Sequence, residues 1–401
     1  MAEHSVPLVA PFAGERYAAQ ERLSDLIAPP YDVITPAERE ELAARDRCNI
    51  VHLILPEGRD GYAAAGKTLS KWRAEGVLKG DPQPSVYVLQ QEFVTPDGRE
   101  YTRTGVIAGV HVEPYDRGRV RPHERTHRGP KEDRLALARA TGSLLETIFL
   151  LARDERGHLR RRLEGVTRHQ PTAMADLQGV GIGLWRVGGI QAREIANVAG
   201  EGALYVADGH HRFETANAFR AENPAVERIP ALIVPVADPG LVVLPTHRLI
   251  SGAPVNPDAL LARWEASFAV EAREPELGPQ GVLEGLKGRH PAAAIVFPDG
   301  RLVVLTARFP ADELEIAVIE REVVQPIRAA AGDGATVGYS ANPGEVFDAV
   351  GRRTAVAGVL VRPTPLERVL EVADAGGILP PKSTYFVPKV PSGLVIQPFG
   401  D

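Results

Sequence analysis

The sequence predicts an α/β fold with a mixed sheet, and three observations predict it. Short apolar runs of strand character alternate with segments whose apolar residues repeat at helical spacing. The 34 prolines and 39 glycines are spread along the chain and punctuate those elements. Hydrophobic residues make up 44% and charged residues 24%, the balance of a globular chain. At 401 residues there is room for two or three domains, each with its own core.

In chain order, Ile27-Ala-Pro-Pro-Tyr-Asp-Val-Ile34 reads as a rigid turn in which a cis proline would be at home. A helix is expected over Pro36–Arg45, with Thr35 as its cap and Pro36 at the first helical position. The apolar run Ile50–Leu55 reads as a strand. A helix from Tyr62 to Glu75 puts Tyr62, Ala65, Leu69 and Trp72 on one face and stops at Gly76. Strands over Ser85–Phe93 and Arg103–Val112 flank Asp97-Gly98, a hairpin turn. A polar, basic loop from Pro114 to Pro130 precedes a helix over Lys131–Ala140. Strands follow at Ile148–Leu151 and Ile182–Val187, and Arg160-Arg161-Arg162 between them reads as a solvated helix face. Ala203–Ala207 is a strand, followed by a tight turn and a helix over His211–Ala221. Ile229–Val236 and Gly240–Leu244 are strands. From Pro254 to Val361 helix and strand patterns alternate, with a hairpin of Ala292–Phe297 and Leu302–Thr306 across Asp299-Gly300. The last apolar segment is Gly393–Ile396.

Composition excludes several function classes. A net charge of −6 argues against a general binder of nucleic acid or anionic membranes. The single cysteine, Cys48, rules out an intrachain disulfide and a four-thiolate zinc site. No apolar stretch has the length of a membrane span, and residues 1–15 lack a signal-peptide pattern, so a cytoplasmic location is expected. Nothing in the sequence speaks to oligomeric state.

Chemistry concentrates in three places. In Asp208-Gly209-His210-His211-Arg212 a strand ends in a glycine turn and opens a helix. Backbone N–H groups and the helix dipole favour an anion there, Gly209 permits close approach, and Arg212 can grip phosphate oxygens. The blander alternative is Asp208 as a helix cap beside surface histidines. Pro122-His123-Glu124-Arg125-Thr126-His127 contains H-E-x-x-H, the zinc-protease pattern. Pro122 before it and Gly129-Pro130 after it leave less than two helical turns, so Glu124 makes better sense as a general base or metal ligand. Pro380-Pro381-Lys382-Ser383-Thr384, with Lys389 following, could cradle phosphate. Thr246-His247-Arg248 is a weaker signal, equally an ion pair or a cap.

Together, Pro122-His123-Glu124, Asp208–Arg212 and Pro381–Thr384 resemble the free serine kinases of archaea, within the ParB/sulfiredoxin-like superfamily. With Ile27–Ile34 and Val243-Leu-Pro-Thr-His-Arg248 the whole chain is similar to a large bacterial family of uncharacterised proteins sharing that core. The resemblance implies a small-molecule kinase acting on a hydroxyl-bearing metabolite such as free L-serine, with ADP, ATP or pyrophosphate as donor and Mg²⁺ as cofactor. Glu124 would be the base, assisted by His123 and Asp208. Asp208 would alternatively hold Mg²⁺. Gly209, His210, His211 and Arg212 would bind the donor's phosphates, and Lys382, Ser383 and Thr384 would bind substrate or phosphate. Two departures are clear: Tyr385-Phe386 replaces Arg-His after the paired hydroxyls, and the spacing from Glu124 to Asp208 is longer. A metal-dependent phosphatase, or a ParB-like nucleotide-dependent DNA-binding regulator, would use the same turn. The expected divisions are an N-terminal region (1–104), the phosphate-binding core (105–235), an insertion or lid (236–361) and a C-terminal segment returning to the active site (362–401).

Overall fold

The computed structural model describes residues 6–399 apart from 59, 125, 127, 275–277 and 310–312. The fold is mixed α/β, and the chain separates into two units: residues 1–242 with 388–401, and residues 243–387.

In the first unit, nine described strands form one mixed sheet. They are β1 (Val9–Ala10), β2 (Ser85–Val94), β3 (Glu100–His111), β4 (Val120–Arg121), β5 (Ile148–Ala152), β6 (Ala173–Leu177), β7 (Val180–Gly188), β8 (Leu204–Asp208) and β9 (Arg228–Pro235). Their order is β4-β8-β5-β9-β3-β2-β7-β6, with β1 added to β3. Two neighbour pairs are parallel, β4 with β8 and β5 with β9; the others are antiparallel. The β2–β3 hairpin turns at Asp97-Gly98 as its sequence requires, with Gly98 at a φ of +80°.

Six longer helices belong to this unit: α1 (Pro36–Arg45), α2 (Gly61–Ala74), α3 (Arg128–Thr141), α4 (His158–Thr167), α5 (Gly189–Ala199) and α6 (His210–Glu222). Thr35 and Glu38 form a reciprocal capping box at the start of α1, and each satisfies a backbone N–H that the helix leaves open. Strand side chains alternate between the faces of the sheet. Val86, Val88, Val106, Ala108 and Val110 fall on the face covered by α4, α5 and α6, which contribute Leu159, Leu163, Ala192, Ile195, Phe213 and Ala216 to the same core.

Three expectations need correction. Ile50–Leu55 is not a strand: Val51–Ile54 forms a helical turn. A short apolar run carries no period to decide the matter. The decision is made by Asn49, fully buried, whose side chain accepts the Val51 N–H and donates to the Asp25 and Ile27 carbonyls. The Ile27–Ile34 turn exists, but its prolines are trans; the cis bond among the described residues is His290–Pro291. Finally, a boundary at 104/105 would cut through β3, which is paired along its length to β2 and β9, so the N-terminal region and the core are one unit. The segment 362–401 is itself divided, with only 388–401 in the first unit.

The second unit is built on a six-stranded sheet, antiparallel throughout among the described residues, in the order Phe268–Arg273, Leu302–Ala307, Ala292–Val296, Ala357–Leu360, His247–Ser251, Thr336–Ser340. Alternation again sorts its side chains. Ala293, Ile295, Val303 and Leu305 pack with Trp264 and Ile319, while Ala292, Ala294, Leu302 and Val304 pack with Val346 and Val350. Both faces are therefore covered. Residues Glu320–Val324 form a π-helical turn between two short α-helices.

Candidate functional site

The parallel pairing of β4 with β8 fixes the site. Val120 lies opposite Leu204 and Arg121 opposite Tyr205. Both strands then run out at the same edge, so Pro122-His123-Glu124 leaves the sheet beside Asp208. Two motifs separated by more than eighty residues thus meet at the carboxyl ends of neighbouring parallel strands, a favoured place for ligands in α/β sheets.

Gly209 alone makes the reversal from β8 into α6, with a φ of +92°. A Cβ there would stand 2.9 Å from Ile148 Cγ2 and 3.2 Å from Arg212 Nε. Both the left-handed backbone and the packing therefore demand glycine. The Phe213 N–H donates to the Gly209 carbonyl at 3.0 Å and closes the first turn. The N–H groups of His210, His211 and Arg212 form the positive end of α6.

Asp208 is held by two cations. Its Oδ1 accepts from Lys389 Nζ at 2.9 Å and its Oδ2 from Arg212 Nη2 at 2.7 Å. Burial opposes its ionisation, but Lys389 and Arg212 outweigh that and hold the carboxyl well below the usual carboxylate range. Arg212 is itself buried and also donates to the Thr147 carbonyl at 2.7 Å through Nη1. Its guanidinium is first a fixture of the turn, and a phosphate would have to use its remaining N–H groups. Burial works against its charge; Asp208, Glu146, Asp32 and Tyr31 more than compensate and raise its pKa.

His123 and His210 are both buried, with rings edge to face and centroids 4.8 Å apart. The His123 backbone N–H donates to His210 Nε2 at 3.4 Å, so that nitrogen is bare and the His210 proton sits on Nδ1. Burial pushes His123 down to about 4, against the opposing effects of the Val206 carbonyl and the Asp208 charge. Burial, with His123 beside it, also lowers His210 well below its ordinary value. Both rings are neutral at pH 7. Glu124 follows, half-buried, in a loop tied to α6 by the Thr126 hydroxyl, which donates to Glu214 at 2.7 Å, with Lys131 Nζ 3.4 Å from the same oxygen.

This geometry removes the zinc-protease reading. Residues 122–124 are not helical, α3 begins only at Arg128, and the His123 ring is turned to His210 and Val206. Arg125 and His127 lie outside the described residues. No group of three His, Cys, Asp or Glu side chains suited to a metal occurs among the described residues. Asp208 fits Mg²⁺ poorly, since each of its oxygens already accepts from a cation.

Sequence reasoning grouped Lys389 with the Pro380–Thr384 turn, gave Tyr31 and Asp32 no role beyond a turn, and passed over Arg103 and Glu146. Lys389 is delivered by the C-terminal segment, which is held on both sides of it. Arg103 Nη2 donates to the Pro388 carbonyl at 2.6 Å, and Gln91 Nε2 donates to the Lys389 carbonyl at 3.1 Å. Arg103 Nη2 also reaches Gln91 Oε1 at 2.5 Å, and its guanidinium lies 4.5 Å above the Phe149 ring. Complete burial pushes Arg103 down to about 9. The Ile27–Ile34 turn does more than change direction: it brings Tyr31 and Asp32 within electrostatic reach of Arg212. The Tyr31 N–H donates to Glu146 at 3.2 Å, and Arg134, 3.3 Å from the same carboxylate, lies 4.0 Å over the Tyr31 ring. Burial, Asp32 and Glu146 raise the Tyr31 hydroxyl to about 12. The density of Pro-Pro-Tyr-Asp and of Val-Pro-Lys-Val-Pro was the available signal.

Lys382, Ser383 and Thr384 belong to the second unit. Lys382 has a φ of +56°, and the Ser383 hydroxyl donates to the Pro380 carbonyl at 2.6 Å, so the segment is a tight turn. The arginines of α4 are a solvated face: Arg160 pairs with Glu164 and Arg162 with Glu194 at the surface. No helix among the described residues is long and apolar enough to cross a membrane.

The chain belongs to the family described as protein of unknown function DUF1015, whose model matches residues 9–325. Among curated proteins, none matches it in sequence. Among solved structures it is similar to a conserved hypothetical protein from Pyrococcus furiosus, at 14% identity over 71% of this chain and 93% of that one, with a TM-score of 0.39. It is similar to a free serine kinase mutant in complex with AMP, at 12% identity over 70% and 87%, with a TM-score of 0.40. It is also similar to C-terminally truncated SbnI from Staphylococcus aureus, at 11% identity over 71% and 84%, with a TM-score of 0.37. The site stands on its own geometry, not on these distant likenesses.

Proposed function

We propose that this member of the DUF1015 family is a phosphotransferase that moves a phosphoryl group from a nucleotide to the hydroxyl of a small metabolite. One observation carries the reading: the strands that lead into His123-Glu124 and into the Gly209 turn are parallel neighbours, and the His123 N–H donates to His210 Nε2. Phosphoryl transfer asks a protein for a base at the acceptor and a positive cradle at the phosphates, and little covalent help. The positive end of α6 is the cradle for the donor, and Glu124 is the base. The acceptor oxygen attacks the terminal phosphorus, the new P–O bond forms as the bridging P–O bond breaks, and the nucleotide leaves with that oxygen. The hydroxyl proton passes to Glu124. Asp208, fixed by Lys389 and Arg212, keeps the turn in place, and neutral His123 and His210 wall it off. Mg²⁺ bound with the donor would neutralise phosphate charge; Asp208 is not its ready ligand. Serine as acceptor, with ADP, ATP or pyrophosphate as donor, follows from the motif resemblance alone.

The test is a screen of amino acids and other hydroxy compounds against the three donors with Mg²⁺, read by phosphorus NMR. A phosphorylated acceptor is expected with wild-type protein. In Glu124→Gln turnover should fall by on the order of 10²-fold or more while ADP binding stays nearly unchanged. Full turnover in that variant would remove Glu124 as the base. Free phosphate with no phosphorylated acceptor would make the protein a hydrolase instead.

A further inference from the structure

A second cleft, of about 960 Å³, lies in the first unit along the C-terminal half of α6. It is lined by Arg117, Arg119 and Arg220 with His111, Glu113 and Asn217. Asn217 and Arg220 sit two to three turns, roughly 10–15 Å, along α6 from the Asp208 turn. The two sites share a helix but no residue.

The cleft holds more positive charge than its carboxylate can neutralise. Glu113 is engaged by Arg119 through Nε at 3.0 Å and through Nη2. Arg220 gives its hydrogen bonds to neutral acceptors, the Val112 carbonyl and His111 Nε2, the latter at 3.0 Å. Arg117 is exposed and makes no ion pair among the described residues, and its neighbour Asp116 pairs with neither arginine. Some surface arginines are matched, as in Arg139–Glu222 and Arg160–Glu164, and others, such as Arg193 and Arg352, make no ion pair among the described residues. What sets Arg117 and Arg220 apart is that they line one cleft.

His111 does not offset the Arg220 charge. Arginine can only donate, so the nitrogen facing Arg220, Nε2, is bare and the proton is on Nδ1. That Nδ1–H is buried and has no acceptor among the described residues, in a side chain only 8% exposed. A lone oxyanion cannot fill a cleft near the upper end of small-molecule sites. We propose that the cleft binds a small organic anion carrying a phosphate or phosphonate group, held by Arg117 and Arg220.

Isothermal titration calorimetry of the full chain with phosphonoacetate and phosphoenolpyruvate tests this; neither is a hydroxyl acceptor. Saturable binding is expected, weakened roughly tenfold or more in Arg117→Gln and in Arg220→Gln. It should be unchanged in Glu124→Gln, which alters only the other site and would strengthen an anion bound there, so this inference and the proposed kinase site can fail separately. Absence of saturable binding in folded wild-type protein overturns the proposal. So does binding unchanged in both arginine variants, or binding that changes in Glu124→Gln.

Discussion

Arg212 in the first unit and Arg248 in the second are both buried arginines, and they are kept in opposite states. Arg212 faces the Asp208 carboxylate at 2.7 Å and the Thr147 carbonyl at 2.7 Å, and its pKa is raised. Arg248, fully buried, donates Nη1 to the Thr246 carbonyl and lies 5.6 Å from the Tyr339 ring centre; Glu320 stands 3.6 Å from Nε, too far for a full hydrogen bond, and Nη2 has no hydrogen-bond partner among the described residues. Burial accordingly lowers its pKa despite Glu320 and Tyr339. The first arginine is part of a closed electrostatic circuit that fixes a turn. The second is a desolvated cation with open valences. Burial alone does not tell the two apart, and only the partner list does.

The largest expected effect breaks this contrast directly. Arg212→Met strands Asp208 beside a single lysine and leaves the Thr147 carbonyl unpaired, and should cost about 3–5 kcal/mol in urea unfolding. Arg248→Met replaces a poorly paired buried cation by an apolar side chain of similar length and should stay within about 1 kcal/mol of wild type. Equal losses in the two variants would erase the distinction.

Acid sharpens the comparison. His123 and His210 in the first unit, and His247 in the second, are all lowered chiefly by burial, His123 and His247 to about 4. An unfolded histidine takes up its proton near pH 6.5, while the folded ring refuses it until much lower. The stability these rings contribute is therefore full above about pH 6.5 and is lost as pH falls toward 4, at about 1.4 kcal/mol per ring per pH unit. Hydrogen exchange at pH 7 and pH 5, corrected for intrinsic rates, should show peptides around His123 and His210 losing about twice the protection lost around His247. An equal or reversed ratio would contradict the neutral His123–His210 pair.

How far the sequence reveals this arrangement depends on how local the cause is. The Thr35 cap, the Asp97-Gly98 turn and the strand–Gly209–helix reversal are written in a few adjacent residues and are legible. The two motifs His123-Glu124 and Asp208–Arg212 can be picked out as well, though not their strands' adjacency, which depends on β4 pairing beside β8. The contact of Lys389 with Asp208 and the parts played by Tyr31 and Glu146 are illegible because each acts through a partner more than a hundred residues away. The Ile50–Leu55 run misleads for the opposite reason: its pattern is apolar enough for either element, and a buried asparagine outside the run decides.

The smallest effect separates two glycines with similar backbones. Gly209 and Gly300 both have positive φ, +92° and +86°, but a Cβ at Gly300 meets nothing within 4 Å whereas at Gly209 it strikes Ile148. Gly300→Ala should therefore cost only the backbone strain, about 1 kcal/mol. Gly209→Ala adds the collision and should cost about 2–3 kcal/mol, together with a loss of ADP affinity as the α6 N-terminus is displaced. Urea melts of the two variants measure the difference. If they lose the same amount, Ile148 yields to the new methyl, and the turn is set by its backbone alone.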